Sequence, residues 1–233
     1  MKHFSNRYIF VFSSVMVIAV ATLLSLAATL LRPAQEKNLE IEKKRSMLES
    51  IRITATRSNA VDLYSRYIKE GFVTDIHGNT IDGVDAFGVV LKNEQRKPAG
   101  EQYLPVFTAS SEDGKDVIIL PVEGKGLWGP IWGYVSLESD LNTIFGVTFD
   151  HKGETPGLGA EINTSDFEGM FRGKKLFDNG DFVSVMVHKG GAEDGDVHGV
   201  DAISGGTITS NGLQNMLRDC LEKYNAYLIK NRN

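Results

Sequence analysis

From residue 8 to residue 31 the chain carries no charged side chain and is dense in Val, Ile, Leu, Ala and Phe. About 24 such residues suffice for a helix to cross a hydrocarbon core with some tilt. The apolar part of a cleavable signal peptide is shorter, about 7–15 residues. The run is therefore read as a retained single-pass transmembrane helix, residues 8–31, behind a short flank, residues 1–7. Pro33 is expected to end the span. Residues 36–51 alternate in charge, with Leu39, Ile41, Met47, Leu48 and Ile51 at near-helical spacing, which predicts a helix rising from the membrane surface. Ser58 is placed to cap a second helix with the stripe Val61, Leu63, Tyr64, Tyr67 and Ile68, ending at Gly71. Residues 32–71 thus read as a helical lead-in.

From Phe72 onward the pattern changes to short apolar runs bounded by turn residues. Residues 103–107, 117–122, 131–137, 144–149 and 182–187 are predicted strands, punctuated by Gly114 and Gly124. Near the end, Leu213, Met216, Leu217, Cys220, Leu221, Tyr224 and Leu228 recur at helical spacing opposite Asn215, Arg218, Asp219 and Lys223. That is an amphipathic helix packed on a sheet, with Thr209 or Ser210 as its expected N-cap. The fold class is α+β: one globular domain over residues 72–233 with a bent sheet and a packed C-terminal helix.

Composition changes this picture little. The chain is 42% hydrophobic and 24% charged, as in an ordinary globular protein. Lys plus Arg is 25 against 30 for Asp plus Glu, a net charge of −5 with the signs interleaved, so nucleic acid is not an expected partner. A single cysteine, Cys220, rules out an internal disulfide or a CxxC pair and reads as a small apolar side chain in a helix. His77, His151, His188 and His198 show no ligand spacing, so no metal site is expected. Basic residues flank the apolar run on both sides. Arg32, Lys37, Lys43, Lys44 and Arg45 outnumber Lys2 and Arg7, a count that alone would keep the following domain in the cytoplasm. Long segments translocate largely regardless of charge, so charge leaves the topology open.

The segment Asp201-Ala202-Ile203-Ser204-Gly205-Gly206-Thr207-Ile208-Thr209-Ser210 sets a glycine turn and several hydroxyls just ahead of a helix N-terminus. Free backbone N–H groups and the helix dipole make such a place receptive to phosphate. The same residue types also describe an ordinary glycine loop with a Ser/Thr cap. Two more blocks stand out. His151-Lys152-Gly153-Glu154-Thr155-Pro156-Gly157-Leu158-Gly159-Ala160 is a Pro/Gly loop rigid and thin enough to lie against a planar ring, with Thr155 and Leu158 available for a hydrogen bond and an apolar face. Gly124-Lys125-Gly126-Leu127-Trp128-Gly129-Pro130 offers the large apolar surface of Trp128. Taken singly, the first is equally a surface turn and Trp128 equally a core aromatic.

Together these residues resemble the FMN-binding domain family shared by the NqrC subunit of the sodium-translocating NADH:quinone oxidoreductase and its flavin-carrying counterpart in the Rnf complex. In that family a Ser/Thr-Gly-Ala-Thr motif receives FMN through a phosphoester to its last threonine. Ser204-Gly205-Gly206-Thr207 matches with one departure, Gly206 in place of the usual alanine. The resemblance implies covalent FMN on Thr207, with Ser204, Gly205, Gly206, Thr209, Thr155, Gly157, Leu158, Gly159 and Trp128 around it and no catalytic acid or base on this chain. It covers the anchor and most of the chain from about residue 100 onward, while residues 32–100 match only in general character. It further implies a flavin transferase that attaches the FMN, partner subunits that relay electrons from NADH towards quinone while exporting sodium, and a bacterial inner membrane with the FMN domain on the periplasmic side. No GxGxxG follows a strand, so an NADH site is not expected here. The Trp128 block favours the sodium-pump member of the family over the Rnf member. An alternative of another class is a membrane-tethered sensory or regulatory domain that binds FMN or nothing.

Overall fold

The computed structural model describes residues 5–232. The chain divides into two compact units, one ending at Lys43 and one comprising Lys44–Asn233. The first consists of helix α1 (Asn6–Ser50) as far as Lys43, and residues 6–40 of the helix are all exposed. This is a helix long and apolar enough to cross a membrane. Pro33 lies inside α1 and does not end it. Proline removes one amide from the hydrogen-bond ladder, and the turns on either side carry the helix through, with Arg32 paired across it to Glu36 at 2.9 Å.

The second unit begins within the stretch read as a lead-in. The last turn of α1 is buried there through Met47, Leu48 and Ser50. It ends in a Schellman arrangement: the Ile53 amide donates to the Leu48 carbonyl (2.9 Å) and the Arg52 amide to that of Glu49 (2.8 Å). Arg52 takes the left-handed position, φ 64°, which usually falls to glycine. Its guanidinium stacks 3.8 Å from the centre of the Phe145 ring, a contact that offsets the backbone cost. Helix α2 (Ala60–Tyr67) starts from Asn59 rather than from Ser58, because Asn59 Oδ1 accepts from the Thr56 amide and hydroxyl while the Ser58 hydroxyl pairs with that of Thr56. It stops at Tyr67, and Ile68 opens strand β1 (Ile68–Thr74). Gly71, expected to stop the helix, sits inside β1, where a Cβ would come 2.8 Å from the Phe107 ring.

After β2 (Thr80–Ile81) and the short helix α3 (Leu91–Glu94) come β3 (Leu104–Ser110), β4 (Asp116–Lys125), β5 (Pro130–Leu137) and β6 (Ile144–His151). They form an antiparallel six-stranded sheet in the order β2-β1-β3-β4-β5-β6, with register shifts at Ile68/Glu70 and Ser136/Leu137 where strands bend. Strand alternation sends Ile119 and its register partner Ser136 to one face, and Leu120 and Val135 to the other. The first face receives the end of α1. The Ser136 hydroxyl lies 2.6 Å from the Ser50 carbonyl, and Gly146 leaves room for that carbonyl, since a Cβ there would be 2.5 Å away. The second face packs against the last helices.

Helix α4 (Ser165–Gly169) borders the sheet edge. The pair β7 (Phe177–Asp178) and β8 (Asp181–Phe182) and the parallel pair β9 (Met186–His188) and β10 (Gly199–Asp201) follow. The strand expected over 182–187 is therefore split: Ser184 is buried in a left-handed conformation, φ 62°, which no continuous strand accommodates. The chain ends in α5 (Thr207–Leu221), a 3-10 turn (Glu222–Tyr224) and α6 (Asn225–Asn231). The predicted stripe is buried as expected, but the helix breaks where the Tyr224 hydroxyl reaches the Pro105 carbonyl at 3.0 Å.

On the edge strand β6, Glu168 of α4 supplies an acceptor that no further strand provides, taking the Phe149 amide at 2.7 Å and the Thr148 hydroxyl at 3.3 Å. Burial pushes its carboxyl up to about 7, with Glu49 and Asp150 adding to the rise and the two hydrogen bonds opposing it. A carboxyl raised in the folded state costs stability once it ionises, so its penalty is absent below about 4.5, grows with pH and is complete above about 7. Glu168→Gln keeps an acceptor for Phe149 and removes the charge. In pH-dependent melting the variant is expected to exceed the wild type at pH 8 by on the order of 1–2 kcal/mol, the carboxyl being partly screened by solvent, with the gap closing towards pH 4.5. A gap independent of pH would contradict this.

Candidate functional site

Two glycines let α5 lie directly on β4. A Cβ on Gly124 would come 2.6 Å from that of Met216, and one on Gly212 would run into the Lys125 carbonyl. This close packing carries the first turn of α5 beside the loop between β4 and β5, which the Gly126 amide closes by donating to the Gly129 carbonyl (2.8 Å). The loop that follows β6 arrives at the same place.

Glu154, 4% exposed, stands where the three segments meet. Its Oε1 accepts from the Trp128 backbone amide at 2.9 Å, and its Oε2 from the Thr209 hydroxyl at 2.6 Å. Its own amide donates to His151 Nδ1 at 3.1 Å. The carboxylate fits because two neighbours lack side chains. A Cβ on Gly126 would lie 2.6 Å from Oε1, and one on Gly159 would lie 2.6 Å from Oε2 and collide with the Thr209 hydroxyl. Beyond Glu154, the amides of Leu158 and Ala160 both donate to the Thr155 carbonyl at 3.1 Å, and Gly157 takes φ 73°. This tight turn places Leu158 against the glycine turn ahead of α5. Gly205, also at φ 73°, has no room for a Cβ, which would sit 2.6 Å from Leu158 Cδ2.

Helix α5 is capped three residues before Thr209 and four before Ser210, the caps expected from the sequence. Gly206 is its N-cap and offers no side chain. The Thr209 hydroxyl is spent on Glu154, and the Ser210 hydroxyl accepts the Ile203 amide at 3.1 Å. The first helical bond runs from the Ser210 amide to the Gly206 carbonyl, 2.9 Å, so the amides of Thr207, Ile208 and Thr209 have no carbonyl one turn back to receive them. The first turn contains no acidic residue. Thr207 is half-buried at this end, and among the described residues its hydroxyl has no hydrogen-bond partner; Ser204 and Gly205 are exposed beside it. Leu127, Trp128 (69% exposed), Leu158 and Ile208 present apolar side chains to solvent from the same three segments. The arrangement is an open helix end with unreceived amides, of the kind that can accept an anion, bordered by an apolar rim.

Residues 126–222, which contain all three segments, match the FMN-binding domain family. The chain is 35% identical over 212 residues to the NqrC subunit of the Na(+)-translocating NADH-quinone reductase of Vibrio vulnificus, covering 82% of this chain and 81% of that protein. It is 32% identical to the same subunit of Pasteurella multocida, covering 86% and 84%. The chain belongs to the NqrC family of Na(+)-translocating NADH-quinone reductase subunits. The crystal structure of the family member from Parabacteroides distasonis superposes with a TM-score of 0.78 at 43% identity, covering 85% of this chain and 96% of that one. That of Shewanella oneidensis NqrC gives 0.71 at 28% identity, covering 85% and 98%. The choice between the sodium-pump and Rnf members falls to the former.

Within this member of the NqrC family the residues expected around the site lie together: Trp128 on the first loop, Thr155, Gly157, Leu158 and Gly159 on the second, Ser204, Gly205, Gly206, Thr207 and Thr209 on the third. Glu154, Gly126 and Ile203 were not among them. An acidic residue at the head of a Pro/Gly loop was the visible signal for Glu154. Ile203 explains the departure at Gly206. A Cβ on residue 206 would lie 2.9 Å from Ile203 Cγ2 and 3.1 Å from its Cβ, although φ −103° would allow alanine. Gly206→Ala alone is expected to lower the melting temperature by several degrees, the signature of an overpacking cost of about 1–3 kcal/mol. Adding Ile203→Leu, which removes the branch at Cβ, should recover much of the loss. An alanine tolerated without compensation would refute this packing account.

Proposed function

We propose that this chain holds FMN at the N-terminus of α5, esterified through its phosphate to Thr207, and works as the membrane-anchored electron-transfer subunit of a Na(+)-translocating NADH:quinone reductase. FMN and the electron-transfer role follow from membership of the NqrC family and of the FMN-binding domain family. The observation that carries the attachment point is the unpartnered Thr207 hydroxyl beside three free amides, while the neighbouring hydroxyls of Thr209 and Ser210 are buried and engaged.

The residues fit the group. A phosphate at this helix end meets unsatisfied N–H donors and the positive end of the helix dipole. The exposed side chains of Leu127, Trp128, Leu158 and Ile208 offer apolar cover to a flat aromatic system. Bound FMN supplies one-electron redox chemistry; the protein fixes its position and surroundings. A covalent bond through Thr207 prevents loss of the group, and the Leu158 turn packed on Gly205 limits movement of the loop that bears it. The partners are the other subunits of the complex, together with a flavin transferase that makes the ester. Helix α1 serves as the single membrane anchor, and the FMN domain is assigned to the periplasmic side of the inner membrane on the family resemblance, since the flanking charges do not decide it.

In a host that has the flavin transferase, the wild-type band on a denaturing gel should fluoresce under ultraviolet light, and a Thr207→Ala band should be dark. A dark wild-type band, or a fluorescent Thr207→Ala band, would overturn the covalent assignment.

A further inference from the structure

We propose that Glu154 is the positioning residue for flavin attachment, acting through Thr209 and Trp128 without itself touching the flavin. The inference rests on attachment at Thr207.

Serine and threonine side chains near a helix start ordinarily turn back to bond neighbouring backbone groups. Thr209, in the first turn of α5, does not. Its hydroxyl, in a residue 1% exposed, donates to Glu154 Oε2. That bond occupies the Thr209 hydroxyl, so it does not compete with an incoming phosphate for the amides of Thr207 and Ile208. The second oxygen of the same carboxyl holds the Trp128 amide, and with it the loop bearing two of the four exposed apolar side chains. One side chain therefore sets both the phosphate end and the ring end of the site.

The surroundings are shaped to this group. Gly126 and Gly159 each leave space that a single methyl would take from a carboxyl oxygen. Two acceptors are used, one for each donor. A glutamine can keep both contacts by accepting the Trp128 amide on Oε1 and donating from Nε2 to the Thr209 hydroxyl. An alanine keeps neither and leaves a buried hydroxyl and an amide unpaired. Thr209→Val removes only the hydroxyl side of the arrangement and keeps the shape of the residue.

The test uses the full chain in membranes of a host co-expressing the flavin transferase, with fluorescence per unit of protein on a denaturing gel as the readout and a melting curve for each variant. Glu154→Ala unmakes two buried hydrogen bonds and should lower covalent flavin by about tenfold or more. Thr209→Val should lower it several-fold in a protein that still folds, with a melting temperature reduced by the carboxyl oxygen left unpaired, and Glu154→Gln should restore it to near the wild-type level. The Gln rescue separates positioning of the two donors from a need for the charge. If Glu154→Ala does not fold, Thr209→Val and Glu154→Gln decide: full flavin on Thr209→Val, or flavin lost on a well-folded Glu154→Gln, overturns the proposal, as does full flavin on a folded Glu154→Ala. A dark wild-type band is a different result, since it removes the attachment at Thr207 itself.

Discussion

The carboxyl of Glu154 accepts a hydrogen bond from a residue 26 positions earlier in the chain and another from a residue 55 positions later. Loops so far apart in sequence have no local reason to converge, and each gives up conformational freedom to do so. What holds them is the cost of the alternative. A buried carboxyl, a buried threonine hydroxyl and the amide of Trp128 each lose a partner if the contact opens, and unpaired buried polar groups are expensive. The glycines at 126 and 159 are the steric counterpart of the same constraint, because the carboxyl occupies the space their side chains would need. The start of α5 and the loops that bear the apolar rim are joined at this one meeting point.

The scaffold beneath it explains why the site lies where it does. The sheet is covered on one face by the end of α1, seated through Ser50, Ser136 and Gly146, and on the other by α5, seated through Gly124 and Gly212. The loops at the end of β4 and β6 and the start of α5 then share one edge of a rigid core, the usual setting for a cofactor site built on loops. Electron transfer needs the flavin held in a constant place and a constant environment, and close helix-on-strand packing supplies that more firmly than loops alone. Membership of the NqrC family gives the chain its role, that of an FMN electron-transfer subunit of a Na(+)-translocating NADH-quinone reductase.

Much of this was legible in the sequence, for reasons that can be traced. The central strands were visible because Val117 to Val122 and Ile131 to Leu137 are apolar on both faces or alternate cleanly, and the sheet has layers on both sides to receive them. The stripe from Leu213 to Leu228 was visible because α5 buries one face only. Other features depended on tertiary partners that local pattern does not encode. Pro33 signals a stop, yet one missing ladder bond does not end a helix whose turns are otherwise intact. Gly71 signals a stop too, but its small size serves the Phe107 ring across the sheet. Thr209 and Ser210 have the composition of caps and are claimed by Glu154 and Ile203 instead. The mismatch at Gly206 became intelligible only when Ile203 was seen to fill the missing methyl's place, and Glu154 declared its importance only through burial and two distant donors.

The most direct measurement of the central claim is a crystal structure of the flavin-loaded protein. Electron density should run continuously from Thr207 Oγ1 to a phosphate whose oxygens meet the amides of the first turn of α5, with a ring system against the side chains of the 127–128 and 158 loops and the Glu154 contacts to Trp128 and Thr209 both intact. A flavin bound elsewhere on the chain, or a loaded site in which Glu154 has released both donors, would contradict that claim.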